Sequence, residues 1–156
     1  MQTQVMFYLL NDDKVNDADK GADAINSSAA FYHACLQASY FYRQNQRVFI
    51  YTQDKESAEQ IDELLWAFDS DSFVPHNLIG EGPKQGAAVE IGNQAPRGRR
   101  PVLINLTSTV PSFANQFQFI VDFVPSDETL KQQARDRFRA CRQLGFIVNN
   151  QAVTEQ

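Results

Sequence analysis

Only two of the 156 residues are cysteine, and Cys35 and Cys141 stand far apart, each inside an apolar helical pattern. That usage excludes a disulfide framework and fits reduced core thiols in a cytoplasmic chain rather than a Cys-ligated metal. Long apolar runs are also missing, since nothing approaches the roughly 20 residues needed to span a bilayer, so no membrane partner is expected. The opening Met1-Gln2-Thr3-Gln4-Val5-Met6-Phe7 lacks a basic region followed by an apolar one, so export is not expected. Positive charge is in deficit: the net charge is −5, which repels a nucleic-acid backbone and requires any cationic surface to be local. Histidine and tryptophan are scarce, at two and one.

What is present is the apolar content of one ordinary domain, large enough to bury a core without disulfides or metal. Gln4 to Leu10 reads as a buried first strand ending at Asn11-Asp12-Asp13. Asn11 to Ser28 is polar and acidic, a loop leading into a helix from about Ala29 to Arg43 with Phe31, Ala34, Cys35 and Ala38 at helical spacing. Arg47 to Tyr51 is a second strand, and Thr52 or Asp54 caps a helix that ends near Asp69. Ala87 to Ile91 and Val102 to Leu106 read as strands joined by an exposed loop from Gly92 to Arg100. Pro111 opens a short helix, Phe119 to Val124 is a further strand, and Ser126 or Asp127 caps a last helix through Leu144. Residues 148–156 are polar and read as a flexible tail behind a domain of residues 1–147. Strands that alternate with helices predict a single α/β domain, a mainly parallel sheet with helices on both faces.

Two segments draw attention. Leu65 to Leu78 sets Trp66 and Phe73 among turn-forming residues and leads into Gly80-Glu81-Gly82-Pro83. Either both rings pack this segment onto the core, the plainer reading, or at least one stays at the surface to anchor a partner. In the last helix, Leu130, Ala134, Cys141 and Leu144 form a stripe that would face the sheet. Lys131, Arg135, Arg139 and Arg142 fall on another face, with Phe138 at the border. A cationic row beside an aromatic suits an acidic ligand with an apolar end, or a phosphate chain. It also suits a plain solvated face, because Asp127, Glu128 and Asp136 compensate part of the charge.

Catalytic readings are weaker. Gly80 to Gly86 resembles a phosphate loop superficially, but no Gly-Lys-Ser/Thr follows and Pro83 removes an amide. His76 lies near Asp69, Asp71 and Glu81 in sequence without a matched nucleophile or second histidine. A small nucleotide- or metal-dependent enzyme built on that loop and His76 is the alternative function.

Several segments, in order and over most of the chain, resemble one known family. They are Val5-Met6-Phe7-Tyr8-Leu9-Leu10, Ile61-Asp62-Glu63-Leu64-Leu65-Trp66, Ser72-Phe73-Val74-Pro75-His76-Asn77-Leu78, Gly80-Glu81-Gly82-Pro83, Val89-Glu90-Ile91, Val121-Asp122-Phe123-Val124-Pro125 and Leu130-Lys131-Gln132 with Ala134-Arg135. The family is the chi subunit of the bacterial DNA polymerase III holoenzyme. The resemblance implies a Rossmann-like fold without a nucleotide site, no catalytic residue, no cofactor and no metal. It implies an adaptor that binds the psi subunit, and through it the clamp loader, together with the acidic C-terminal tail of single-stranded DNA-binding protein. High-affinity contact with DNA itself is not expected. By the same resemblance the psi surface falls at Trp66, Phe73, Val74, Pro75 and His76, and the tail surface at Val124, Lys131, Arg135, Phe138 and Arg139. Two departures stand out: Phe138 replaces the family's usual tyrosine, and the Asn11 to Ser28 segment is longer than expected.

Overall fold

The computed structural model describes residues 2–10, 29–68, 74–81, 86–96 and 98–153. Among them, seven strands form one sheet: β1 (Gln4–Leu9), β2 (Val48–Thr52), β3 (His76–Leu78), β4 (Val89–Gly92), β5 (Val102–Leu106), β6 (Phe119–Val124) and β7 (Ile147–Ala152). Three helices connect them, α1 (Phe31–Arg43), α2 (Lys55–Phe68) and α3 (Glu128–Gln143), with a single 3-10 turn at Ala114–Gln116. The strand order is β3-β4-β2-β5-β6-β1-β7, and every described pairing is parallel. The expected α/β architecture is therefore present in its fully parallel form.

Parallel strands need crossovers, and crossovers cover both faces of the sheet, so central strands carry apolar groups at successive positions. Val102-Leu103-Ile104-Asn105-Leu106 is buried throughout. Alternation then sorts the side chains by face. Val48, Ile50, Ile104, Val121 and Phe123 pack with Ala34, Cys35 and Ala38 of α1 and Ile61 and Leu65 of α2. Phe7, Phe49, Leu103 and Ile120 pack on the other face with Cys141 of α3 and with Ala114 and Phe117. A large apolar side chain taken fully from water in this way contributes about 1.5–3 kcal/mol.

Caps fix the helix starts. Asp54 Oδ1 accepts from the Ser57 amide at 2.8 Å, and Asp127 accepts from the Leu130 amide at 3.0 Å, each satisfying an amide without an intrahelical partner.

Four expectations need correction. Residues 148–152, read as part of a polar, flexible tail, belong with Ile147 to β7, paired along its length with β1. An edge strand is held by backbone hydrogen bonds, such as those from Ile147 N to Thr3 O (2.9 Å) and Val153 N to Leu9 O (3.1 Å), so its polar side chains gave no strand signal. His76–Leu78, read as part of a turn-rich segment, is the three-residue strand at the other edge. The helix expected behind Pro111 is only the 3-10 turn. Arg100, placed in an exposed loop, is buried, because its guanidinium bonds the carbonyls of Val48, Ala87 and Ala88.

Candidate functional site

The crossover from β6 to β7 must pass over β1, because β1 lies between them. α3 makes that crossing, and between it and the strands lies a cleft of about 500 Å3. Phe7, Leu9 and Leu10 contribute from β1 and the residue after it, Val124, Pro125 and Ser126 from the end of β6, and Asn150 from β7. α3 contributes Lys131, Ala134, Arg135, Phe138 and Arg139. The five residues that the family resemblance assigned to tail binding thus line one concave surface. Of the cationic row, Arg142 does not line it.

The cleft is apolar within and cationic at its edge. The ring of Phe138 packs against that of Phe7 with centroids 5.3 Å apart and planes at 54°, so the border position combines core contact with surface. Lys131 lies 3.9 Å from Glu128, whose side chain is almost fully exposed. Arg139 pairs with the exposed Asp136, and the hydrogen bonds from Arg139 and Gln132 hold the Asp136 carboxyl below its ordinary range. Exposed pairs within one helix contribute little, so a competing carboxylate can displace them at small cost.

The sheet-facing side of α3 differs from the expected stripe. Ala134, Arg137 and Cys141 are its buried residues, whereas Leu144 is 58 % exposed because the helix ends at Gln143 and Gly145 turns the chain at φ +84°. Arg137 went unnoticed in the sequence. Its Nε donates to both carboxylate oxygens of Asp122, at 3.2 and 3.0 Å, and its Nη2 donates to Asp122 Oδ1 at 3.0 Å. The same guanidinium reaches the carbonyls of Phe123 (3.1 Å) and Ser108 (3.3 Å). Burial pushes the Asp122 carboxyl up against the downward pull of Arg137. The pair ties α3 to β6 immediately behind Val124 and Phe138. Its sequence signal was an arginine at the i+3 position from Ala134 and the i−4 position from Cys141, on the apolar stripe.

The second candidate segment lies at the opposite sheet edge. Trp66, near the end of α2, is 63 % exposed, and its ring stands edge-on to His76 with centroids 4.9 Å apart. The His76 side chain is enclosed. Its Nδ1–H donates to the Val74 carbonyl at 2.7 Å, a tautomer required because a carbonyl only accepts, and its Nε2 lies 3.4 Å from Asp62 Oδ1. Val74 is buried, and Pro75 is half-buried. Val74 and His76 therefore seat this segment, and Trp66 is the large side chain that it presents to solvent. Phe73 lies outside the described residues, as do residues 82–85 of the glycine-rich loop.

A buried polar cluster holds the ends of that loop. Asn77 Nδ2 donates to the carbonyls of Leu78 (2.7 Å) and Glu81 (2.9 Å) and to Glu90 Oε2 (3.2 Å), while its oxygen accepts from the Ala87 amide at 2.6 Å. Gly86 adopts φ +77°, and a Cβ there would lie 2.6 Å from Arg100 Nη2 and 2.7 Å from Glu90 Oε2. Side chains of the fold thus occupy the space beside Gly86 that a phosphate-cradling loop would leave open. Among the described residues, no three His, Cys, Asp or Glu side chains come together as metal ligands. No described helix is long and apolar enough to cross a membrane.

Solved structures include one, "The crystal structure of T4 UvsW", that matches 97 % of this chain and 41 % of its own with a TM-score of 0.65. At 10 % identity that likeness is one of fold alone. The DNA polymerase III subunit chi of Escherichia coli (strain K12) is 43 % identical over 145 residues, covering 92 % of this chain and 93 % of the relative. The subunit of the same name from Haemophilus influenzae is 39 % identical over 122 residues, covering 77 % and 85 %. That from Pseudomonas aeruginosa is 33 % identical over 119 residues, covering 76 % and 83 %. The family model described as DNA polymerase III chi subunit, HolC, matches residues 1–149. The chain belongs to the family of DNA polymerase III chi subunits.

Proposed function

We propose that this chi subunit is a non-catalytic, cytoplasmic adaptor that takes no cofactor and joins the psi subunit to the acidic C-terminal tail of single-stranded DNA-binding protein. Its link to the clamp loader runs through psi. The observation that carries the reading is the convergence of Val124, Lys131, Arg135, Phe138 and Arg139 on one cleft. An acidic peptide with an apolar end matches that surface: the tail's carboxylates meet Lys131, Arg135 and Arg139, and its terminal apolar group packs against Phe7, Phe138 and Val124. Arg135 has no ion-pair partner among the described residues, so it meets an incoming carboxylate without first breaking such a pair. With phenylalanine at 138, the tail gains ring contact without a hydroxyl hydrogen bond.

For psi, the contact surface is Trp66 with Phe73, on a segment seated by Val74, Pro75 and His76. An exposed tryptophan beside an enclosed histidine supports it, because large aromatics dominate interface energetics. Titration with purified single-stranded DNA-binding protein, intact and lacking its last residues, tests the tail site. The intact protein binds and the truncated one does not. Arg135→Ala weakens binding by about 1–3 kcal/mol, the scale of a charge-assisted hydrogen bond. An unchanged affinity removes Arg135 from the site.

A further inference from the structure

Away from α3, the described cations other than Lys55 gather at one place. Arg43 ends α1, Arg47 precedes β2, and Arg99 and Arg100 precede Pro101 and β5. β2 and β5 are hydrogen-bonded neighbours with Val48 opposite Val102, and the Val102 amide donates to Arg47 O at 3.3 Å. The end of α1 lies over the same corner, because Phe41 packs on Phe119 with ring centroids 5.5 Å apart, and the Phe119 amide donates to Pro101 O at 3.0 Å. The amino ends of the central strands thus carry a cationic rim in a molecule of net charge −5.

Among the described residues, one carboxylate pairs with that rim. It is Glu90, which lies buried 3.7 Å from Arg100 and also accepts from Asn77. Burial first, and then the neighbouring Arg47 charge, lower the Arg100 pKa against the opposing pull of Glu90. Arg47 spends part of its guanidinium on the carbonyls of Gly86 and Ala87. Arg43 and Arg99 are exposed, as are the neutral hydrogen-bonding residues Gln44, Asn45 and Gln46 between Arg43 and Arg47. One turn before Arg43, Tyr40 is 53 % exposed.

We infer that this rim is a weak binding surface for single-stranded nucleic acid, in which Arg43, Arg47 and Arg99 meet backbone phosphates and Tyr40 stacks on a base. Exposed aromatics beside guanidinium groups suit an unpaired strand, whose bases offer ring faces, better than an acidic peptide, which makes no use of the tyrosine ring. A subunit of a DNA polymerase works beside unpaired template. The rim lies at the amino ends of the strands, whereas the cleft lies at the carboxyl ends of β1 and β6, so the two do not overlap. Three phosphate contacts are too few for tight binding, so the contact acts when the protein is already held at the template, where effective concentration is high.

Fluorescence anisotropy with a labelled oligothymidylate of about 15 nucleotides tests the inference. Three contacts give a log–log salt slope of about −2, a weakening of about 20-fold between about 50 and 200 mM salt. Arg43→Ala combined with Arg99→Ala cuts the slope to about −0.7, and Tyr40→Ala weakens binding by at least about 5-fold. All three side chains are exposed, so thermal midpoints stay unchanged. Arg135→Ala with Arg139→Ala, on the cleft, leaves oligothymidylate binding as it was. Binding that survives the Arg43 and Arg99 substitutions, or is lost with the cleft substitutions instead, overturns the inference. So does equal competition by polyglutamate with no effect of Tyr40→Ala, which marks a general polyanion patch or an acidic-protein contact.

Discussion

Truncating Arg137 leaves the Asp122 carboxylate enclosed between α3 and β6 without its bidentate partner. Breaking a buried pair in this way costs about 3–5 kcal/mol, so Arg137→Ala should lower the urea midpoint far more than Arg142→Ala, a change on the exposed side of the same helix. Gly86 is sensitive for a different reason. Its φ of +77° is strained for any residue with a Cβ, and the Arg100 and Glu90 side chains occupy the space, so Gly86→Ala should destabilise the fold by about 1–3 kcal/mol. The thiols provide a third check. Burial pushes Cys35 and Cys141 up to about 12, so neither forms appreciable thiolate at mildly alkaline pH. Both should resist alkylation in the native chain and react fully in denaturant, as followed by mass spectrometry. The geometry of the candidate site was only partly legible in the sequence. The cationic spacing of Lys131, Arg135 and Arg139 was visible because exposed charges recur at helical intervals. Arg137 was hidden because a buried arginine is recognisable only once its carboxylate, fifteen residues earlier, is seen beneath it.

Helices and strands were legible to different degrees. β5 and β6 matched expectation to the residue, because these central parallel strands are apolar at all but one position each and bounded by turn formers. β7 was missed because the edge strand Ile147–Ala152 leaves most of its side chains in solvent and is defined by main-chain pairing that composition does not encode. α3 was found, but its wheel was drawn one residue too long, which put Leu144 on the buried stripe. The cap at its start gives an element-level prediction: Asp127→Ala should cost about 1 kcal/mol and loosen the first turn, which carries Lys131 to the cleft. Hydrogen exchange at the amides of that turn measures the loosening. α1 carries a pH-dependent contribution. Burial lowers the His33 pKa, so the folded state binds fewer protons than the unfolded state between that lowered value and about 6.5. Stability from this group is present above that window and declines as pH falls through it. His33→Gln should flatten the stability curve there, as read by denaturant titration at a series of pH values.

For the whole molecule, the sheet itself separates the two proposed docking surfaces. Trp66 and the segment leading into β3 lie at one sheet edge, and the cleft over β1 and β7 lies at the other. β3 and β1 are five strand spacings apart, about 24 Å, which would leave the two proposed partners room to bind together. On the proposed function, bridging would work by effective concentration, two modest contacts holding the polymerase machinery near coated template. Fold class and domain size were legible from alternation and length. Cleft formation was not, because it depends on α3 crossing over β1, a consequence of strand order. The most direct test of this bridging account is calorimetric titration of the acidic tail peptide into the chi subunit alone and into its complex with psi. Equal affinity and one-to-one stoichiometry in both titrations are the predicted result. Loss of peptide binding in the psi complex would mean that the two partners share one surface and would contradict the account.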